Sequence, residues 1–233
     1  MTPARSRPRT LLRLLALLAL GLAPLHADTL DALSAHDAAS GLRSALAQSV
    51  DRAVRQLGAP DGFLNNARVT IPLPPAFQKL DSVLRLMGRG GDAEALRASL
   101  NHAAENAVSE AAPVLMRALK RMTLADAKGI IAGGDDAATS YFRQSAGEEL
   151  KATFRPVVAR ATARVQLAAR YDEYAGKAAQ YGLMSSTDAN MNEYVTARAL
   201  DGLFVVMADE ERAIRKDPLG QASAIIRKVF GAH

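Results

Sequence analysis

The sequence contains no cysteine and no tryptophan, and aromatic residues make up only 5% of it. Without cysteine the chain cannot be a disulfide scaffold, a zinc–thiolate module or a thiol enzyme. The scarcity of aromatic rings leaves few platforms on which nucleic-acid bases stack. Hydrophobic residues nevertheless account for 49% of the 233 residues, which argues against a disordered chain and allows one large domain or two small ones.

The N-terminal residues have the order of a secretory signal peptide. Three arginines, Arg5, Arg7 and Arg9, precede an uncharged apolar run at residues 14–23 and a small-residue end at Ala27. This order predicts a leader, residues 1–27, that is cleaved after Ala27. The apolar run is too short for a membrane-spanning helix, which needs about 20 residues. Because no cysteine follows to carry a lipid, we expect residues 28–233 to be a soluble exported domain with no transmembrane span, which in a bacterium means a periplasmic protein.

The basic excess of the chain lies mostly in this leader. Four of the 29 basic residues and none of the 24 acidic residues fall there, so the remaining chain carries 25 basic residues and a formal net charge of +1. A nearly neutral surface lacks the basic patch with which proteins bind phosphate backbones. We therefore expect no nucleic-acid partner.

Apolar residues recur at helical spacing along the rest of the chain. Between Asp37 and Gly58 the spacing is three and four, which predicts one amphipathic helix. Further stretches of this kind follow, separated by glycine and proline. Thr123 and Asp126 suggest a capping box for a helix that ends at Gly133. The pattern predicts an all-α fold, a single multi-helix bundle.

One segment, residues 59–75, departs from helical patterning because it is rich in proline and glycine. We interpret it as an ordered, extended loop. A short strand without a partner is not stable alone, so Val69, Ile71 and Leu73 are expected to lie against helices.

The C-terminal helix, at about residues 190–215, is predicted to be the buried centre of the bundle. Its residues 199–208 are apolar on every side except for Asp201. Gly202 weakens a helix, and we expect it to let another backbone come close. A buried carboxylate at Asp201 must be paired, and Arg143 or Arg198 is the expected partner. A structural ion pair that fixes helix register is favoured over a ligand pocket.

Other acidic residues form two short clusters. Asp135 and Asp136 follow a glycine pair, and we interpret them as a helix stop and cap rather than as a cation or phosphate site. Glu210 and Glu211 lie in the second cluster. Glu211 and Arg215 have i,i+4 spacing, which is typical of a solvated or bridged surface.

Histidine and tyrosine give weaker signals. His102 and Glu105 share a helix face, but such pairs are more often surface neighbours than ligands, so we expect no metal site and no cofactor. Three tyrosines on one helical face are candidates to line a pocket, although packing against a neighbouring helix is the commoner use. These tyrosines are Tyr171, Tyr174 and Tyr181.

Six short segments together resemble a known bacterial family. They are DGFLNN at residues 61–66, IPLP at 71–74, GGDDAAT at 133–139, YFR at 141–143, ALDGLF at 199–204 and IRKDP at 214–218. The combination resembles the family called domain of unknown function 4197 over about residues 33–230. The resemblance implies a single helical domain exported to the periplasm or cell envelope, where some members look like lipoproteins. It implies no established activity.

Three functions fit these observations. The preferred hypothesis is a non-catalytic protein that binds a partner or contributes to envelope maintenance, because the sequence contains no catalytic constellation that we recognise. The second is a carrier of an apolar ligand or lipid in a cavity between helices. The third is a hydrolase of cell-wall glycan that uses two carboxylates, with Asp201 or Glu210 as candidates.

Overall fold

The computed structural model of the protein describes residues 27–74, 90–163 and 190–216. The chain divides into two compact units, Met1–Ala35 and His36–His233. Of the first unit only residues 27–35 are described, and their backbone is helical. Described side chains begin at His36, so the core and the candidate site both belong to the second unit. The predicted leader lies outside the described residues except for Ala27.

The described residues form six α-helices and no β-strand. In chain order they are α1 (Ala27–Gly58), α2 (Gly90–Ser109), α3 (Ala111–Arg121), α4 (Leu124–Ala132), α5 (Ala137–Thr162) and α6 (Met191–Lys216). The predicted all-α fold is confirmed.

Helix α6 packs against α2 and α5, which also pack against each other. Helix α5 further contacts α3 and α4, so α5 rather than α6 has the most helix neighbours in the described part of the chain. Buried residues nevertheless occur along the whole length of α6, among them Met191, Leu203 and Ile214. The prediction of a buried C-terminal helix is therefore confirmed. It was wrong in one respect, because Asp201 and Arg198 are exposed to solvent and Leu200 and Val205 are only partly buried.

Local sequence explains where the shorter helices begin and end. The Thr123 side chain accepts a hydrogen bond from the Asp126 backbone amide, and the Asp126 carboxylate accepts one from the Thr123 amide, so the predicted capping box is present. Hydrogen bonds from the Thr123 amide and hydroxyl lower the pKa of Asp126. Helix α4 then ends at Gly133, as predicted. Pro113 lies in the first turn of α3, where a missing amide hydrogen costs nothing.

The proline-rich loop is described through Pro74 and is ordered by turns rather than by strand pairing. Backbone hydrogen bonds within it include Asn65 to Asp61 and Thr70 to Asn66. Its apolar side chains are part of the main core, as predicted. They are Phe63, Val69, Ile71 and Leu73.

Gly202 lets this loop approach α6. A methyl group at Gly202 would lie 2.6 Å from Cε1 of Phe63 and 3.2 Å from Cβ of Val69. The expectation of a close approach is correct, although two side chains rather than a backbone come close. The loop and helix α6 therefore fit together because residue 202 has no side chain.

The described part of the chain contains no helix with the length and apolarity that crossing a membrane requires.

Candidate functional site

Two buried carboxylates, Glu211 and Glu105, organise the polar interior. Both residues are about 5% exposed, although glutamate side chains in proteins normally remain in contact with water. Each holds a different segment of the chain through backbone amides. The sequence predictions did not identify either carboxylate as buried.

The first carboxylate, Glu211 on α6, binds the start of helix α5. Its oxygens accept hydrogen bonds from the backbone amides of Ala138 and Thr139, each at 2.9 Å, and from the Thr139 hydroxyl at 2.9 Å. The first amides of a helix have no partner within the helix and carry a partial positive charge. Glu211 therefore caps α5 from another helix.

Arg215, one turn further along α6, completes this arrangement. Its guanidinium donates to Glu211 at 2.8 Å and to the backbone carbonyl of Ile130 at 2.8 Å, near the end of α4. A cation there complements the partial negative charge of the helix C-terminus. One acid–base pair of α6 thus joins the end of α4 to the start of α5. We call Glu211 and Arg215 the α6 clasp.

The clasp corrects two sequence interpretations. The predicted i,i+4 pair is present as a bridge, but the side chains of Glu211 and Arg215 are only 6% and 13% exposed, so the pair is mostly buried and does not lie on a solvated surface. Asp136 occupies the N-cap position of α5, yet its side chain makes no capping hydrogen bond. The cap is the carboxylate of Glu211. Asp135 and Asp136 are both exposed.

Asp201 is exposed rather than buried, so the hypothesis of a paired acid inside the core was wrong about its environment. The expected partner is nevertheless present, because Arg143 Nη1 lies 3.8 Å from Asp201 Oδ1, with both side chains more than half exposed. The guanidinium also covers the ring of Phe204, with its carbon 4.4 Å from the ring centroid. Arg198, the other candidate, lies over the ring of Tyr194. An exposed pair of this kind contributes little to stability.

Glu210 does not join Asp201 or Glu211 in one catalytic group. Its carboxylate accepts a hydrogen bond from Arg52 of α1 at 2.5 Å. The neighbouring Asp209 pairs with Arg68 of the loop and with Arg212. These acids tie α6 to α1 and to the loop through arginine partners.

The second buried carboxylate, Glu105 on α2, holds the proline-rich loop. It accepts hydrogen bonds from the backbone amides of Asp61 at 3.2 Å, Phe63 at 3.0 Å and Leu64 at 3.3 Å. Asn101, one turn earlier, accepts from the Ile71 amide at 2.8 Å and donates to the Ile71 carbonyl at 2.9 Å. Two side chains of one helix thus replace the partner strand that this extended segment lacks.

At the rim of this contact, three side chains with metal-binding atoms come together. His102 Nε2 lies 3.1 Å from Asp61 Oδ1. One ligand-type atom each from Asp61, His102 and Glu105 lies within 4.8 Å of the other two. Asp61 adopts a left-handed backbone conformation with φ of 61°, which aspartate tolerates better than most residues. The expectation that His102 and Glu105 are mere surface neighbours was wrong for Glu105, which is buried.

The pocket-lining prediction cannot be placed, because Tyr171, Tyr174 and Tyr181 lie outside the described residues. Within the described residues, two small pockets lie near the clasp. Each has a volume of about 10 Å³, roughly the space of one water molecule. Both are lined in part by Leu46, Ala138 and Glu211.

Comparisons with known proteins locate the chain in a family. The family model described as Protein of unknown function (DUF4197) matches residues 32–231. Neither the curated proteins nor the solved structures contain a match. The matched range includes both buried carboxylates and all described residues of the second unit. The chain therefore belongs to the family of proteins of unknown function DUF4197.

Proposed function

We propose that this protein is exported to the bacterial periplasm and acts there or at the envelope without catalysing a reaction, by binding a partner or maintaining the envelope. The export part rests on the sequence of residues 1–27, whose basic, apolar and small-residue parts stand in the order of a cleaved leader. The absence of cysteine supports a free rather than a lipid-anchored chain.

The non-catalytic part rests on the use of the two buried acids. A general acid or base must reach a substrate proton with an available oxygen. In Glu211 both oxygens accept backbone amides and one also receives Arg215. Glu105 holds three backbone amides of the proline-rich loop. These carboxylates hold loops and helix ends, which is a structural use. Asp201 and Glu210, the acids proposed for a hydrolase, each pair with an arginine.

Export is tested by expressing the full chain in a Gram-negative host and measuring intact masses after osmotic shock. We expect the released protein to lack residues 1–27. A variant with Leu17→Arg and Leu18→Arg in the apolar run should keep its full mass and stay in the cytoplasm, because a charged run does not engage the export machinery. Full-length wild-type protein in the cytoplasm would overturn the export part.

Catalysis is tested with the processed protein and purified peptidoglycan. We expect no release of soluble glycan fragments above a buffer control, and no difference between wild type, Asp201→Asn and Glu210→Gln. Fragment release that either variant abolishes would replace the proposal by the hydrolase hypothesis.

The carrier hypothesis is tested on the same material by native mass spectrometry. We expect the mass of the processed chain alone when the protein is taken directly from the periplasm. An apolar molecule that is bound in stoichiometric amount and is released from the protein by collisional activation would instead identify a carrier.

A further inference from the structure

We propose that Asp61, His102 and Glu105 form a binding site for one divalent transition-metal ion of the zinc class. The site lies where the proline-rich loop meets α2, away from the α6 clasp, and it is independent of the proposed envelope function. Its ligands are one imidazole nitrogen and one oxygen from each of two carboxylates. The bound ion would fasten the loop to the helix.

The separations of these atoms suit a small ion. Ligand atoms about 2.0–2.2 Å from a tetrahedral zinc ion are about 3.4 Å apart. His102 Nε2 and Asp61 Oδ1 are 3.1 Å apart, and no two of the three ligand atoms are more than 4.8 Å apart. An ion bound between them would replace the present His102–Asp61 hydrogen bond, and the two ligand atoms that lie furthest apart would approach each other by up to about 1.4 Å.

Both carboxylates are already oriented by groups that do not compete for the ion. Glu105 accepts the backbone amides of Asp61, Phe63 and Leu64. The second oxygen of Asp61 accepts a hydrogen bond from the Asn65 side chain at 3.3 Å. Hydrogen bonds of this kind around ligating carboxylates are a regular part of metal sites, where they fix ligand direction.

Exposure provides an entry path on one side. The side chains of His102 and Asp61 are 51% and 48% exposed, while Glu105 forms the buried floor of the site. An ion held by these three residues would have its remaining coordination positions open to water, as in zinc sites with three protein ligands.

The mixture of ligands selects the class of ion. Imidazole suits zinc and its neighbours in the first transition row, whereas magnesium and calcium prefer oxygen ligands alone. We therefore expect zinc to bind, and magnesium and calcium at the same concentration to bind far more weakly.

Isothermal titration calorimetry of zinc into tag-free, chelator-treated full-length protein tests the site. We expect one ion per chain in wild type and at least a tenfold loss of affinity in His102→Ala and in Asp61→Asn. Asparagine suits the left-handed backbone at this position, so Asp61→Asn should fold. His36→Ala removes another exposed histidine, on α1, and should bind as wild type does.

Thermal unfolding followed by circular dichroism gives a second measurement. Zinc should raise the melting temperature of wild type and of His36→Ala, because a ligand that binds only the folded state stabilises it. It should not raise that of His102→Ala, whose unfolding without metal serves as the folding control. Failure of wild type to bind one zinc ion, or equal binding by His102→Ala, would show that His102 and Asp61 form only a structural pair and overturn the proposal.

Discussion

At the residue scale, two buried carboxylates in the described part of the chain accept hydrogen bonds from backbone amides that would otherwise lack an acceptor. Glu211 receives the first amides of α5, and Glu105 receives those of the proline-rich loop. A buried charge is costly unless it is paired and hydrogen-bonded, and here each charge finds several donors. Removing such an acid leaves both the amides and any cationic partner without compensation.

We expect Glu211→Ala to lower the free energy of unfolding by about 3–5 kcal/mol, since it removes the anionic partner of the mostly buried Arg215 and the acceptor of two backbone amides. Glu210→Ala is the matched control. It removes the adjacent, more exposed pair with Arg52 and should cost about 1 kcal/mol or less. Urea unfolding followed by circular dichroism measures both. Equal losses in the two variants would contradict a special role for the clasp.

Tyr141 predicts a dependence of stability on alkaline pH. Burial raises the pKa of its phenol, with the Asp126 charge as a second cause, and the hydroxyl donates to the Ala118 carbonyl at 2.9 Å. An unfolded tyrosine titrates at a pKa of about 10. The fold favours the neutral phenol, so this contribution is complete below the unfolded pKa and is lost as pH rises through the folded pKa.

Tyr141→Phe should therefore flatten the fall in unfolding free energy above about pH 10. At neutral pH the loss of one hydrogen bond should cost about 1 kcal/mol. Urea unfolding of both proteins at a series of pH values up to 11 provides the comparison. Parallel curves for wild type and variant would mean that the phenol does not titrate differently in the two states.

At the scale of elements, the proline-rich loop and helix α6 depend on each other through one glycine. Gly202 has no room for a methyl group, because the ring of Phe63 fills that space. Alanine stabilises a helix by about 1 kcal/mol relative to glycine. A substitution at residue 202 therefore compares this gain with the cost of the clash with Phe63 and Val69.

We expect Gly202→Ala to destabilise the protein by about 1–3 kcal/mol, because the Phe63 ring and Val69 must shift in a packed core. Gly147→Ala in α5 is the control. A methyl group there meets no atom within 4 Å, and the substitution should stabilise by up to about 1 kcal/mol. Chemical denaturation of the two variants tests the contrast. A stabilising Gly202→Ala would show that the loop packs less tightly than described.

The elements themselves could be predicted because their signals are local. The end of α1 at Gly58, the capping box at Thr123 and the apolar side chains of the loop each follow from neighbouring residues. The environments of single acids on α6 were assigned wrongly because residues 199–208 were considered only as an apolar block. At 100° per residue, Glu211 lies within about 60° of Met207 and Ile214 around the helix, whereas Asp201 lies within about 60° of Arg198 and Arg212 and about 80° from Glu211.

Contacts between distant segments could not be predicted in this way. Asn101 and Glu105 have i,i+4 spacing within an alanine-rich helix, which was an available signal for a polar pair on one helix face. Their partners, Ile71 and Phe63, lie at least 30 residues away in the chain. Nothing local identifies which backbone amides a buried side chain will meet.

At the scale of the whole molecule, the formal net charge predicts whether the protein binds polyanions such as heparin. Without residues 1–27 the chain carries a formal charge of +1, and many described arginines are already paired with acids. We expect the processed protein to pass through a heparin column at about 0.15 M salt, where a basic surface would be retained. Retention that falls steeply with added salt would indicate a basic patch and reopen nucleic-acid binding.

The residues of the clasp are synthesised after the residues that they contact. Glu211 meets residues that precede it by 72 and 73 positions, and Glu210 meets one that precedes it by 158. During synthesis the amino-terminal part leaves the ribosome first. The amides at the start of α5 therefore have no Glu211 carboxylate to bind until α6 has been synthesised. The junction between α4 and α5 therefore cannot close at the clasp until the chain has been synthesised through Arg215.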